Sequence, residues 1–371
     1  MPEPPKRSMS TLSASSLFSS LCSKLKPKQP VYALDNSARR SSVASQPDTL
    51  VCRSYPNACL EKDPEYAKWE NLKLDTINGK PYRCKKAIGN GKYSVVYDAG
   101  TVNGRAVIVK SMKPYMCKKL NREILILMHL REGPNIIEFV GSFYNRSTRA
   151  PALVFSKIDA ANWRDLYPTF TPTDITHYGR QLLHALDYAH SKGIMHRDVK
   201  PQNIMIDPAT RHLTLIDWGL AEFYFPHRTY ATSVASRYYK PPEILLGFGG
   251  YDFSFDLWSV GCLVAAWVFR ELAFFEGDSD VDQVRVVAGV LGTDGIRAFV
   301  EKYECTLSEE LEAVVDHGRP ARRALEDFIT PANRDLATPA AIDLLNHLLL
   351  YEPSDRLTAK EALAHPLFGT Y

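Results

Sequence analysis

Between residue 80 and about residue 157 the apolar positions fall in short runs rich in β-branched and aromatic side chains: "YRCKKAIG", "YSVVYDAG", "RAVIVKSM", "IIEFVGSFY" and "APALVF". The first three are separated by the turn signals "GNGK" and "VNGR", which predicts strands paired in an antiparallel sheet. A Leu/Ile-rich stretch, "KKLNREILILMHLRE", interrupts them with helical spacing. After about residue 158 the pattern turns helical. "TPTDITHYGRQLLHALDYAHSKG" opens with capping chemistry at Thr171 and Asp174 and stops at Gly193. Further helices are predicted over 257–270, 280–291, 338–350 and 358–364, with no repeat of solenoid period. The pattern therefore predicts an α+β chain: a small antiparallel β-sheet with one main helix over 61–157, then a larger, mainly helical part over 158–371.

Residues 1–60 differ. They are rich in Ser, Pro and basic residues and poor in acids, and cannot bury enough apolar surface to offset their ordering entropy. The expectation is a disordered tail, with order starting at "EKDPEYAKWENLKL". The tail's composition loosely fits an organellar transit peptide, against which Glu3 and the Pro-rich start count. "RRSSV" (39–43) resembles a target for basophilic kinases at Ser42; a flexible basic stretch never modified is the plainer explanation.

With 371 residues, the chain can bury a core without staples. A net charge of +3 gives no reason to expect a nucleic-acid partner. The seven cysteines are scattered without C-x-x-C spacing, which fits reduced thiols better than a disulfide frame or a zinc site. The longest apolar run, "LWSVGCLVAAWVF" (257–269), is shorter than the ~20 residues of a membrane span and reads as a buried helix.

Three constellations carry chemistry. In "IGNGKYSVV" (88–96), Gly89 and Gly91 sit at a hairpin tip, where a backbone without side chains can approach phosphates; Ser94 stands where a third glycine is expected. Alone, the plainer explanation is a turn. Lys110, on the apolar strand "AVIVKSM", needs an anion unless it snorkels to water; Glu123 in "NREIL" is a candidate helix carboxylate to hold it. In "MHRDVKPQNIMI" (195–206), Asp198 could accept or orient a hydroxyl proton, Lys200 could sit over transferred charge, and Asn203 offers an amide oxygen to a hard cation such as Mg²⁺. Asp217 in "LTLIDWGLAEF" supplies a second metal carboxylate. A solvated loop would explain the charges but not the apolar flanks, "GIM" and "NIMI".

Taken in order, Gly-rich hairpin, strand Lys, helix Glu, H-R-D-x-K-x-x-N, D-x-G and P-P-E resemble the protein-kinase signature set over residues 60–371. "SRYYKPPE", "IDWGLAEFY", "GPNII", "GIMHRDVKP", "FDLWSVGC" and "VLGT", with Trp218 where most kinases have phenylalanine, are similar to the casein kinase II catalytic alpha subunits of the CMGC group. The resemblance implies a bilobal kinase fold and a serine/threonine kinase that uses ATP, with GTP as a second candidate donor, and Mg²⁺.

Roles follow by position. Ile88, Gly89, Asn90, Gly91, Lys92, Tyr93, Ser94, Val95 and Val96 would cover ATP. Lys110 would hold its α/β-phosphates with Glu123 as partner, while Phe155, Ser156, Ile158, Met205 and Ile216 would line the purine site. Asp198 would be the base or orienter, Lys200 would steady the γ-phosphate, and Asn203 and Asp217 would bind Mg²⁺. Glu243 should pair with Arg356, Asp256 should brace the catalytic loop, and the Trp218 indole N–H could hold the D-x-G turn. The activation segment has Thr229, Tyr230, Thr232, Ser233 and Ser236 but no T-x-Y pattern. Relatives need no phosphate there because the stretch matched in part by "EYAKWENLKL" packs against the segment; constitutive activity is the expectation.

The family prefers acidic residues near its target Ser/Thr. Here Lys118, Lys119, Arg237 and Lys240 remain as candidate substrate-binding residues. Met116, Cys117, Asn121 and Ser233 replace family basic residues, and Pro241 replaces a glycine, so the acidic preference should weaken. Protein substrates are the implied partners, together with a regulatory beta-subunit dimer, for which Tyr97 and the strands around 104–110 could supply an apolar patch. Neither a membrane nor nucleic acid is expected. The implied location is cytoplasm and nucleus, with an organelle as the alternative. A pseudokinase scaffold or regulatory binding protein is the competing class, disfavoured because Lys110, Glu123, Asp198, Asn203 and Asp217 are all present. A small-molecule kinase on a related fold is disfavoured by the P-P-E segment and the helices after residue 270.

Overall fold

A computed structural model describes residues 50–72, 82–91, 94–113, 117–145, 149–316 and 320–369. Within these the chain separates into two compact units, a sheet unit drawn from 73–118 and 140–157, and a larger one drawn from 45–72, 119–139 and 158–371. The architecture is α+β, as the hydrophobic pattern predicts.

Among the described residues the sheet has five strands: β1 Tyr82–Asn90, β2 Ser94–Thr101, β3 Ala106–Met112, β4 Phe139–Asn145 and β5 Ala150–Ser156, ordered β1-β2-β3-β5-β4. β1–β2, β2–β3 and β3–β5 pair antiparallel. Alternating residues Ala99, Val107, Val109, Ala152 and Val154 gather on one face into a buried cluster, the period-2 signature read from the sequence. The predicted interrupting helix is α1, Cys117–His129.

In the larger unit, α2 (Pro172–Ser191) starts at Thr171 with the expected reciprocal cap to Asp174. It ends before Gly193, whose φ of +73° is a left-handed conformation that disfavours side chains. A Cβ on Gly193 would also lie 2.3 Å from Cys59 Sγ, so a close crossing of chain excludes any larger residue. The apolar run becomes α3 (Ser254–Phe269), buried along its whole length from Phe255 to Phe269. Helices α4 (Asp280–Leu291) and α5 (Pro339–Leu348) follow. Short antiparallel pairs flank the loop over 196–203: β6 (Ile194–Met195) with β9 (Glu222–Phe223), and β7 (Ile204–Asp207) with β8 (His212–Leu215). No helix among the described residues is long and apolar enough to cross a membrane.

The structure divides the chain differently from the sequence reading in two places. Residues 50–60, expected to belong to a disordered tail, are packed: Leu50, Cys52, Ala58 and Cys59 are buried. Composition averages over a stretch, whereas a few well-seated groups suffice to order it. Cys52 joins the core cluster of Tyr224, Tyr251 and Phe253, its N–H donates to the Tyr224 hydroxyl at 3.1 Å, and Arg53 makes two 2.8 Å bonds to Glu361. In addition, residues 61–72 and α1 from Lys119 onward cluster with the larger unit rather than with the sheet. Ser42 and the rest of residues 1–49 lie outside the described residues.

Glu243 and Arg356 pair as expected, through two 2.7 Å bonds, both side chains fully buried. Removing one partner strands the other in a dry interior. Arg356→Met is expected to cost roughly 3–5 kcal/mol of stability, read from the midpoint of urea unfolding, whereas a shift near zero would mean that Glu243 finds another partner.

Candidate active site

The catalytic loop is built on one buried carboxylate. Asp256, in the first turn of α3, accepts from the backbone N–H groups of His196 (2.9 Å) and Arg197 (2.8 Å) and from His190 Nε2 (2.9 Å). Burial alone would raise its pKa; the hydrogen bonds from the His190 ring and from the backbone N–H of His196 outweigh burial and hold it below the ordinary value. Asp256 thus braces the loop as expected, and it secures Arg197 at a φ of +64°, a backbone state that costs energy unless its surroundings enforce it.

His196 ties the loop to the D-x-G segment. Its Nδ1 accepts from Asp198 N–H (3.2 Å), so Nε2 carries the proton and donates to the Ile216 carbonyl at 3.1 Å. Ile216 N–H in turn donates to the Asn203 carbonyl at 2.9 Å. These bonds bring the two expected metal ligands, Asn203 and Asp217, onto adjoining pieces of chain.

Around Asp198, which is buried, the polar groups close into a ring. Lys200 Nζ lies 2.7 Å from one carboxylate oxygen, which also accepts from Asn203 Nδ2 at 2.9 Å. The other oxygen accepts from the Ser236 hydroxyl at 3.0 Å, and Lys200 also donates to Ser236 at 2.8 Å. Sequence reading placed Ser236 among the activation-segment hydroxyls but gave it no role at Asp198; the available signal was a hydroxyl at the start of "SRYYKPPE". With its amide nitrogen turned to Asp198, Asn203 leaves its oxygen as the end able to face a cation. Asp217 is exposed in a left-handed turn (φ 59°). A Cβ on Gly219 would sit 3.4 Å from both Asp217 Oδ1 and Glu123 Oε2, so a glycine keeps space beside two carboxylates. An amide and a carboxylate oxygen are the donors a hard cation takes, and these residues fit Mg²⁺.

Glu123 is buried on α1. In the sheet unit, Lys110 is half-buried on β3, opposite Val96 and Leu153. Gly89, Asn90 and Val95, Val96 face each other across the β1–β2 hairpin, closed by Gly91 N–H to Ser94 O at 2.9 Å. Among the described residues a Cβ on Gly91 would meet only Ser94 O, at 3.7 Å, so none of them demands glycine there. Ile88 is half-exposed and Ser94 is buried. Phe155 and Ser156 end β5, where Arg105 donates to the Ser156 hydroxyl at 2.7 Å; Ile158, Met205 and Ile216 are partly buried in the larger unit. Lys92, Tyr93 and Met116 lie outside the described residues, as do the side chains of Cys117, Lys118 and Lys119.

One expectation fails. The Trp218 indole N–H finds no hydrogen-bond acceptor among the described residues. Trp218 instead packs edge-to-face on His196, centroids 4.6 Å apart, so it holds the turn by ring contact. Arg197 was not assigned a role from the sequence. Its guanidinium donates to Leu220 O (2.8 Å) and the Tyr251 hydroxyl (2.8 Å) and lies 3.5 Å from Glu222, which also pairs with Arg122 of α1.

The 65–72 stretch reaches both α1 and the activation segment. The Tyr66 ring stacks on His129 (3.9 Å) and meets Phe223 edge-on (5.7 Å), while Asn121 donates to Leu72 O at 3.0 Å. A separate trio, Asp343, His347 and His365, has ligand atoms close enough for a metal. Yet His365 Nδ1 accepts from Leu367 N–H, so its Nε2 carries a proton toward Asp343, the tautomer opposed to binding a metal there.

Fold and loop are those of an enzyme that moves a phosphoryl group to a protein hydroxyl. Residues 82–368 match the protein kinase domain family. The chain is 45% identical over 322 residues to casein kinase II subunit alpha' of Saccharomyces cerevisiae, covering 86% of this chain and 94% of that protein. It belongs to the protein kinase family, as a serine/threonine kinase of the casein kinase II type. Kinases of this family use ATP and Mg²⁺ and act on protein substrates.

Burial lowers the His129 pKa from 6.5, opposed by its bond to Tyr66 O (2.8 Å) and reinforced by the Lys192 charge. A histidine whose folded pKa is depressed contributes stability above its unfolded pKa, lost as pH falls. Stability measured by urea unfolding should therefore drop more steeply below about pH 6.5 in the wild type than in His129→Phe; parallel curves would show that His129 does not titrate with folding.

Proposed function

We propose a division of labour for the phosphoryl transfer. The substrate oxygen bonds to the γ-phosphorus of ATP, the bond to the bridging β–γ oxygen breaks, ADP leaves, and the hydroxyl proton passes to Asp198. Lys200 steadies the γ-phosphate, Lys110 holds the α/β-phosphates with Glu123 as its partner, and the 88–96 hairpin covers them. Phe155, Ser156, Ile158, Met205 and Ile216 line the purine. Asn203 and Asp217 would hold Mg²⁺, which when bound neutralises phosphate charge. Such catalysis is positioning plus electrostatics, with little covalent help from protein. The observation that carries this reading is the hydroxyl of Ser236, 3.0 Å from Asp198 Oδ1 with the Lys200 ammonium beside both: a serine oxygen, a base and a cation in the spacing the reaction requires.

Asp198→Ala should lower transfer of labelled γ-phosphate to casein by about 10²-fold or more, with nucleotide binding and unfolding midpoint retained. Wild-type turnover in that variant would remove Asp198 from the chemistry.

The enzyme is constitutively active in this reading. In many kinases an activation-segment phosphate neutralises the H-R-D arginine. Here Glu222, Tyr251 and Leu220 already engage Arg197, and the same Glu222 engages Arg122 on α1. Phosphatase treatment should leave turnover unchanged, while Glu222→Gln should lower it several-fold; the reverse pattern would mean a phosphate is required.

Acidic-site preference is weakened relative to the family, GTP serves as a second donor, and a regulatory beta dimer docks on the sheet unit. The last is supported least: Tyr97 is partly buried against the sheet core, although residues 102–106 are exposed. Competition of labelled ATP by GTP and co-purification with a beta subunit decide these. Cytoplasm and nucleus are the proposed location, the alternative being an organelle addressed by the tail; imaging of the full chain against one lacking residues 1–49 separates them.

A further inference from the structure

Arg237 and Lys240 are the basic residues expected to meet acidic groups on a substrate, yet both are already engaged within the chain. Lys240 Nζ lies 2.6 Å from Asp280 Oδ2, and Arg237 Nε 3.6 Å from Asp280 Oδ1. Arg237 also donates through Nη1 to the carbonyls of Asp278 (2.6 Å) and Gly277 (3.4 Å). Asp280 is the first residue of α4, whose N-terminal dipole favours an anion there, and Ser279 caps that helix. The Lys240 side chain is only 13% exposed, while Arg237 (43%) and Asp280 (54%) open to solvent. Arg237 adjoins Ser236, which touches Asp198, so the cations begin one residue from the serine that contacts the proposed base.

We infer that Asp280 is a specificity-determining residue: its carboxylate takes the place between Arg237 and Lys240 that an acidic side chain beside the target Ser/Thr would take. The inference rests on the Asp198 assignment proposed above. A substrate carboxylate approaching this site meets two positive charges and one fixed negative charge, and must displace Asp280 to bond to Lys240. A neutral side chain faces no such competition. Preference is a difference between two affinities, and a built-in like charge lowers it without weakening the machinery for transfer. The groups are partly exposed, so each charge has a modest, salt-screened effect. That size suits a change in preference rather than an on/off switch.

The test compares kcat/KM of the full chain for two peptides, identical except that the target Ser is followed by three Asp or three Ala. Asp280→Asn should raise the acidic-to-neutral ratio about threefold or more at low ionic strength, the gain shrinking at about 0.5 M salt. Asp280→Glu, which keeps the charge, should hold the wild-type ratio, and adding Lys240→Met to Asp280→Asn should bring the ratio back down. Asp280→Ser replaces the Asn variant if that variant unfolds. An unchanged ratio in the charge-removing variant, or an equal change for both peptides, would reduce Asp280 to a surface ion pair that only anchors α4. No transfer to either peptide by the wild type would overturn the kinase assignment and this inference with it.

Discussion

The structure depends first on the Asp256 carboxylate. Fully buried, it would by itself be a liability, because burial disfavours its charge. Three hydrogen bonds convert it into an anchor, and two of them fasten the backbone N–H groups of His196 and Arg197. Everything in the catalytic loop hangs from those two groups. With Arg197 locked at positive φ, Asp198 meets Lys200, Asn203 and Ser236; with His196 oriented, its ring reaches the chain just before Asp217.

The chain neutralises its own cations. Arg122 and Arg197 share Glu222, Arg237 and Lys240 share Asp280, and Arg356 is enclosed with Glu243. Burial decides what each pairing does. The Glu243–Arg356 pair is dry and structural, so breaking it strands a charge. The Glu222 pairs are nearly buried and hold the activation segment to the catalytic loop and to α1. The Asp280 pairs are partly exposed and contribute little stability; in the inference drawn above they act through the field a peptide meets.

Residues 50–72 form a strap on the larger unit. Cys52 enters the core beneath the activation segment, Cys59 donates to Gly193 O at 3.4 Å, and Tyr66 donates to Lys192 O at 2.9 Å. Burial pushes both thiols up to about 12, so these cysteines serve as packing groups rather than nucleophiles. Through Tyr66 the strap touches α1 at His129 and the segment after D-x-G at Phe223, which gives the expected support of the active arrangement a physical path.

Much was legible in the sequence because it is local or periodic. Strand alternation, the Thr171–Asp174 cap, the buried α3 and the spacing of Asp198, Lys200 and Asn203 are all set within a few residues of chain. Function was legible through motif order, since the chemistry of transfer needs particular side chains at particular intervals. What only folding decided are contacts between residues far apart in the chain. No local pattern says that Ser236 reaches Asp198, that Asp280 answers Lys240, that Glu222 bridges Arg122 and Arg197, or that a polar tail segment seats Cys52 in a core. Nor does it say that the Trp218 indole has no acceptor among the described residues. Propensity and periodicity act over one or two turns, whereas ion pairs and seats in a core depend on where distant segments are brought to lie, and that is a property of the packed chain.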